Sequence, residues 1–337
     1  MTRAHQTAGQ EIIVTSTAAL AAERLTRELS DAGVTATPYS TAALHTAIDS
    51  GRVELGPGVT VVHDEAALAS TREQHHLLNA IEDSGARLIE VGDPRQNQPV
   101  GAGGLWTHLE TATRQAGAHV ELTTSQRART PEDRRDQARF RAGEHELAIR
   151  GYAARGHVHL ADDQVRAEDA ALDAAQLDRA AGRSTIVIAQ TSNEHLDELN
   201  ARAQAIRHQA GQLGNASWRV PGRPYALRAG DEVLIRRTIP HPEHREQQLR
   251  NGTPATVTHV QGNEQLALRL GDRDDVVLDR DTAANADLRL AYVQHPFPAQ
   301  GITTDTAHLI VAEHATREGT YVALTRARER TDIHAAS

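Results

Sequence analysis

A chain of 337 residues is long enough for two domains with cores of their own, and with 39% hydrophobic residues and no run near 18 apolar positions its sequence holds no membrane span. Without cysteine there are neither disulfides nor thiolate zinc sites, and the opening stretch 1–14 lacks the apolar core of a signal peptide, so a cytoplasmic home is expected. The net charge of −9 excludes a protein that coats polyanions with its whole surface; any contact with nucleic acid falls to local patches of arginine, because all 36 basic residues are arginine and lysine is absent.

Residues 1–10 read as a disordered polar tail. The apolar run 11–15 is a short buried strand, followed by a helix over 16–33 that opens on hydroxyl residues and closes at Gly33. A second strand is expected over 58–66, a helix over 71–86 stopping at Gly85, and a third strand over 87–93. Strands alternating with helices predict a parallel, doubly wound α/β sheet. The stretch 131–181, rich in alanine and acids and bounded by Pro131 and Gly182, reads as a helical connection. Strand and helix follow over 184–206 and open a second α/β unit. From about 218 to 290, β-rich runs are separated by Gly, Asn and Asp turns, which predicts a small β-barrel or hairpin insertion. From 288 onward, the runs 288–293 and 306–311 and a helix after Gly319 return to α/β.

In an open parallel sheet, ligands collect at the carboxyl ends of the strands. Asp64 and Glu65 follow an apolar strand there. One acid can hold Mg²⁺ while the other orients a water, or the pair can simply cap the next helix. Gln96 stands in a turn after the third strand, where an amide can bind a phosphate or its attacking water without adding negative charge. Gly101, Gly103 and Gly104 allow close backbone approach, although a glycine run is most often only a loop. At helical spacing Tyr321, Leu324 and Arg328 share a stripe that packs on its own domain, and Arg326 is turned the other way. The bland alternative for Arg326 is an ordinary surface arginine.

The segments VVHDEA (61–66), GDPRQNQPVGAGG (92–104), LTTSQRAR (122–129), AQGITTDTAHLI (299–310) and GTYVALTRARERTDIH (319–334) resemble motifs II, III, IV, V and VI of superfamily 1 DNA helicases, in order. The glycine-rich second segment is similar to the RecD-like branch, and the chain most resembles the helicase part of conjugative relaxases of the TrwC/TraI (MobF) type. The resemblance implies two RecA-like parallel-sheet units. The first, over 11–130, would be truncated at its N-terminus. A helical connection over 131–181 would lead to the second unit, 182–337, with an SH3-like β insertion at about 218–290.

By position, the resemblance implies Asp64 as the Mg²⁺ ligand, Glu65 as catalytic base and Gln96 as γ-phosphate sensor. Arg127 and Arg326 would clamp the phosphate, with Arg326 facing Asp64, Glu65 and Gln96. Gly92, Asp93, Gln300 and Gly301 would line an ATP site, and Thr15, Ser16, Thr17 and Thr303 would touch single-stranded DNA. For Thr15 to Thr17, a simple helix cap explains the hydroxyls equally well. Departures are as informative. The family's phosphate loop ends in lysine, and this chain has none. Phe297 replaces a histidine of motif V, and Gln126 an arginine of motif IV. Two functions follow from this: an ATP-dependent helicase domain completed by a phosphate loop from an upstream relaxase polypeptide, or a non-catalytic single-stranded-DNA-binding or assembly module.

Overall fold

The computed structural model describes residues 2–122, 125–244, 247–271 and 275–337, so Thr123 and Thr124 of the motif IV segment lie outside the described residues. The chain divides into two compact units, Met1–Thr123 and Thr124–Ser337.

The first unit runs α1 (Thr2–Thr7), β1 (Glu11–Ser16), α2 (Ala19–Asp31), β2 (Thr37–Ser40), α3 (Thr41–Asp49), β3 (Val59–Asp64), α4 (Thr71–Ser84), β4 (Arg87–Glu90) and α5 (Leu105–Gln115). Its four strands pair in the order β2-β1-β3-β4, all parallel. Both faces are covered, as a parallel sheet requires. Ile12, Val14 and Val62 pack on one side with Ala22, Leu25 and Leu29 of α2, while Ile13 and Val61 pack on the other with Leu44 of α3 and Leu77 of α4. Alternate residues of one strand thus enter two different cores. Helix α4 begins with a capping box between Ser70 and Glu73 and ends at Gly85 in the left-handed region.

Three expectations change here. The tail is a helix, α1, tied down by side-chain amides: Gln6 Oε1 accepts from Thr35 N at 3.0 Å, and Gln10 Oε1 accepts from Thr60 Oγ1 at 2.8 Å. Such anchors leave no periodic signal. The start of α2 has no hydroxyl cap; its N-cap is Ala18, and Ser16 is the last residue of β1. Strand β2, with Pro38 inside it, carries too little apolar pattern to be read, and it lies at the sheet edge, where a proline is tolerated.

The second unit comprises α6 (Pro131–Arg141), α7 (His145–Ala154), β5 (Val158–Ala161), α8 (Gln164–Ala180), β6 (Thr185–Ala189), α9 (Asn193–Gln209), β7 (Ser217–Arg219), β8 (Ala226–Arg228), β9 (Glu232–Ile235), β10 (Ile239–Pro240), β11 (Gln248–Leu249), β12 (Pro254–Gln261), β13 (Gln265–Arg269), β14 (Asp275–Asp279), α10 (Arg280–Asn285), β15 (Leu288–Leu290), β16 (Val293–Gln294), α11 (Pro296–Ala299), β17 (Thr304–Ile310), α12 (Arg317–Leu324) and β18 (Ala327–Ala336). A parallel sheet, β16-β6-β17-β18-β5, carries the α/β part; an antiparallel sheet, β14-β13-β12-β9-β15, forms the expected insertion with the ribbons β7–β8 and β10–β11.

The stretch 131–181 is more than a connection. It contributes β5, which pairs with β18, and α8, which lies against the sheet through Ala167, Ala171 and Ala175. Strand β15 belongs to the antiparallel sheet through β9, so the return to α/β begins at β16. The motif VI segment also divides: α12 stops at Leu324, and from Ala327 the chain is strand β18, inserted between β17 and β5. Helical spacing therefore does not relate Leu324 to Arg328; the tertiary pairing of β18 overrides it.

Candidate functional site

In the first unit β1, β3 and β4 end side by side, with Ser16 in register with Asp64 and His63 with Glu90. The next residue, Glu65, has φ 52° and ψ 37°, a left-handed conformation that L residues other than Asn, Asp and Gly rarely adopt. Its neighbours enforce it. Ala66 N donates to Val91 O, Val91 N donates to His63 O, and buried Gln74 donates to Ala66 O at 2.7 Å. Glu65 stands at the N-cap of a short 3-10 turn, Ala66–Leu68, yet its side chain makes no capping hydrogen bond there. Simple capping therefore does not explain this residue.

Burial pushes the Asp64 carboxyl above its ordinary range, against a hydrogen bond from the backbone of Glu65 that pulls the other way. His63, fully buried, sets Nδ1 3.3 Å from Glu90 Oε1. His63 Nε2 and the side-chain oxygens of Thr15, Thr17 and Gln96 are buried without a hydrogen-bond partner among the described residues. Several unsatisfied polar atoms at one group of strand ends are out of pattern for a folded core.

The turn after β4 is built by its own polar groups: Asp93 Oδ1 accepts from Arg95 N and Asp93 O from Gln96 N. A Cβ on Gly92 would lie 3.0 Å from Ala67 N and 3.2 Å from Trp106, so any larger residue there would have to displace its neighbours. Of the three glycines expected to admit a ligand, Gly101 and Gly103 pack on the protein instead, while Gly104, at φ +108°, has open space beside it. A Cβ on Gly101 would meet Ser70 at 3.2 Å and one on Gly103 would meet Pro99 at 2.7 Å. Thr15 and Ser16 are buried within β1, and Thr17 is half-buried at the exit toward α2.

In the second unit the motif residues converge on the end of α12. Arg127 donates from Nε to Thr303 Oγ1 at 2.8 Å and from an NH group to Thr325 O at 2.6 Å. Arg326, only 2% exposed, donates to Val322 O at 2.8 Å, to Thr325 Oγ1 at 2.7 Å and to Ile302 O at 3.4 Å. That burial excludes the surface-arginine reading. The guanidinium folds back on the last carbonyls of α12, where a cation is favoured. Gln300 caps α11, and Gly301 follows at φ +83°.

An AAA domain family model, AAA_30, matches residues 1–163. Conjugal transfer protein TraA of Agrobacterium fabrum is 25% identical over 337 residues, covering 98% of this chain and 29% of the relative; the TraA of Rhizobium radiobacter is 25% identical over 335 residues. The chain thus spans less than a third of the curated relatives it matches. Bacteroides Pif1 bound to ssDNA shares the fold at a TM-score of 0.60 and 14% identity, covering 98% of this chain and 84% of that one. Pif1 helicase from Candida albicans does so at 0.54 and 13%, covering 98% and 92%. The chain shares the fold of these Pif1 structures. Its two parallel sheets are RecA-like cores, as the motifs imply. No helix among the described residues is long and apolar enough to cross a membrane.

Two features of this chain escape motif reading. Gln190, just after β6, clamps the start of α12: its Oε1 accepts from Thr316 N and Oγ1, both at 2.8 Å, and its NH₂ group donates to Thr320 Oγ1 at 3.2 Å. A Cβ on Gly319 would stand 2.3 Å from that Oε1. The glycine in the first turn of a helix was the only signal. The second feature is a buried polar cluster under α8. Asp178 receives His308 Nε2 at 3.0 Å, Arg183 at 2.5 Å and Arg330 at 2.8 Å, and Arg330 also reaches Asp332 at 2.7 Å. Burial alone would raise the Asp178 carboxyl, but the hydrogen bonds from His308 and Arg183 and the Arg330 charge hold it well below the usual range. Arg328, by contrast, stands at the surface 3.6 Å from Asp305.

Proposed function

We propose that this chain is the helicase part of a conjugative-relaxase-type DNA motor, coupling a nucleotide to single-stranded DNA. The observation that carries the reading is Glu65, forced into a strained conformation directly after Asp64 at the carboxyl end of a parallel sheet. Asp64 and the neighbouring Ser16 hydroxyl are hard oxygen donors of the kind Mg²⁺ takes alongside water and substrate phosphates. Among the described residues no cluster of three or more His, Cys, Asp or Glu forms a closed metal site, which suits an ion shared with a ligand. Bound there, Mg²⁺ would neutralise phosphate charge. Glu65 takes the proton of the attacking water, Gln96 orients it, and Gly92 and Asp93 shape the turn beside it. The resemblance assigns Arg127, Arg326, Gln300 and Gly301 of the second unit to the same nucleotide, and Thr17 and Thr303 to DNA; within the second unit itself Arg127 and Arg326 brace the end of α12. That Bacteroides Pif1 has been solved with ssDNA, and with ADP-AlF3, supports this choice of ligands.

The triphosphate fits less completely than the metal. Its β- and γ-phosphates call for a nest of backbone amides and a lysine, and these 337 residues contain no lysine. An upstream relaxase polypeptide carrying that loop would complete the site. The same absence favours the second reading, a non-catalytic DNA-binding or assembly module. The 337-residue chain alone is expected to show no ATP turnover above background, with or without single-stranded DNA. Steady DNA-stimulated turnover that vanishes in Glu65→Gln would refute this.

Both readings place the chain on single-stranded DNA, held by a few arginine–phosphate contacts against an overall negative charge. Fluorescence anisotropy with a labelled oligothymidine should give weak binding that falls about tenfold from 50 to 200 mM salt, as roughly two to three phosphate contacts on a single strand predict. Affinity indifferent to salt would argue against arginine–phosphate contacts altogether.

A further inference from the structure

We infer that the β-rich part of the second unit carries a separate anion site, a recess of about 340 Å³ that takes the phosphate of a nucleotide-sized ligand. None of the residues assigned above lines it, and it does not rest on the nucleotide site of the first unit. Its walls come from the β7–β8 ribbon, the turn between β12 and β13, and the start of α10. Trp218 and Pro221 provide an apolar side; Arg219, Arg223, Arg280 and Asn263 provide the polar one. The volume is that of a small-ligand pocket.

The charge balance of the lining is unusual for this chain. Among the described residues no carboxylate lines the recess, although acids outnumber bases, 45 to 36, in the sequence. Arg223 is already committed, to Asp197 at 2.5 Å and Asp287 at 3.2 Å, and is thereby held rigidly in place. Arg219 and Arg280 line the same recess with no hydrogen bond or ion pair from their guanidinium groups to any described residue. Elsewhere in this unit arginines such as Arg183, Arg202, Arg207 and Arg330 each sit within 4 Å of an acid. Asn263 Oδ1 accepts from Arg219 N at 2.9 Å, which leaves its NH₂ as a further donor.

The site is thus all donors on one side and a rigid apolar wall on the other. A carboxylate has two oxygens in one plane and suits a single guanidinium fork. A phosphate has three terminal oxygens spread tetrahedrally and can serve two guanidiniums and an amide together. The Trp218–Pro221 side suits the sugar or base that a nucleotide carries beside its phosphate. That phosphate can belong to a free nucleotide or to one nucleotide of a single strand.

The chain has two tryptophans, so Trp106→Phe leaves Trp218 as the only indole and a local reporter. In that background AMP or inorganic pyrophosphate should change the emission saturably. Arg219→Gln with Arg280→Gln should weaken the response at least tenfold, whereas Arg52→Gln, at an exposed position of the first unit, and Asp64→Ala should leave it as it is. Far-UV circular dichroism would confirm that the double variant stays folded, as the lack of partners for either guanidinium implies. Saturation by an eight-residue oligothymidine but not by AMP or pyrophosphate would support the site with a strand as its source. No saturable response to any of these probes, an undiminished response in the double variant, or equal saturation by an acidic peptide would overturn the proposal.

Discussion

Asp178→Ala is expected to lower the unfolding free energy of the second unit by about 3–5 kcal/mol, the usual cost of removing one partner from a buried charge network. Asp178 is 2% exposed and accepts from His308, Arg183 and Arg330 at once. His308 is wholly buried, so its Nε2 proton has no water to turn to once the carboxylate is gone. The two arginines are a third exposed and recover part of their solvation, which places the loss within that range rather than above it. Urea denaturation of the full chain, followed by amide exchange on β17 and β18, measures it. A loss under about 1 kcal/mol would mean that the cluster behaves as a surface ion pair.

The second unit should also soften as pH falls from 7 toward 5, with His334 the leading contributor. Burial pushes His334 down to about 3, and the neighbouring His308 of β17 and His159 of β5 push in the same direction, against the opposing charge of Asp332. Asp178 of α8 and Arg330 complete the charged groups around this cluster. The sign follows from proton uptake. Below about 6.5 the unfolded chain protonates this imidazole while the folded one does not, so stability is complete above 6.5 and declines as pH drops, at about 1.4 kcal/mol per unit. Asp178 and Asp332, whose carboxyls are depressed, lose their contribution only at lower pH, below the ordinary carboxylate value. His295, lowered by burial, adds to the decline, and His195, raised by its bond to Glu168, opposes it. Thermal melts from pH 7 to 4.5 should therefore show a slope that becomes shallower by about one proton in His334→Leu. An unchanged slope would assign the acid sensitivity to another group.

Much of the fold could be read because its strands are strongly apolar and its helices carry explicit stops. Val59–Val62 and Ile186–Ala189 are buried runs, and Gly85 ends α4 where its conformational freedom is needed. Strand β5 leaves little signal because two of its four residues, His159 and Leu160, are exposed, and β18 because its alternating charges look like a solvated helix. Both are strands through partners distant in the chain, which no local pattern encodes. At the candidate site the acids were legible from their place after an apolar strand. What Glu65 does to the backbone was not, since its conformation is imposed by Val91 and Gln74. Helical spacing does not reach Arg326, which lies beyond the end of α12, and its burial follows from the carbonyls of that helix.

The position of β18 between β17 and β5 has a consequence in time. Strand β5 and its neighbour α8 are made early, yet their sheet partner arrives much later: His157 and Asp332, which meet at 3.1 Å, stand 175 residues apart in the chain. During synthesis the second unit therefore waits with its edge open and Asp178 unmatched by Arg330, and its sheet closes only after β18 has left the ribosome. Closing so long a loop is slow compared with local helix formation. A chain stalled or cut before residue 327 would leave β5 without its neighbour and β17 with an unpaired edge, a form suited to pairing with other polypeptides rather than to folding.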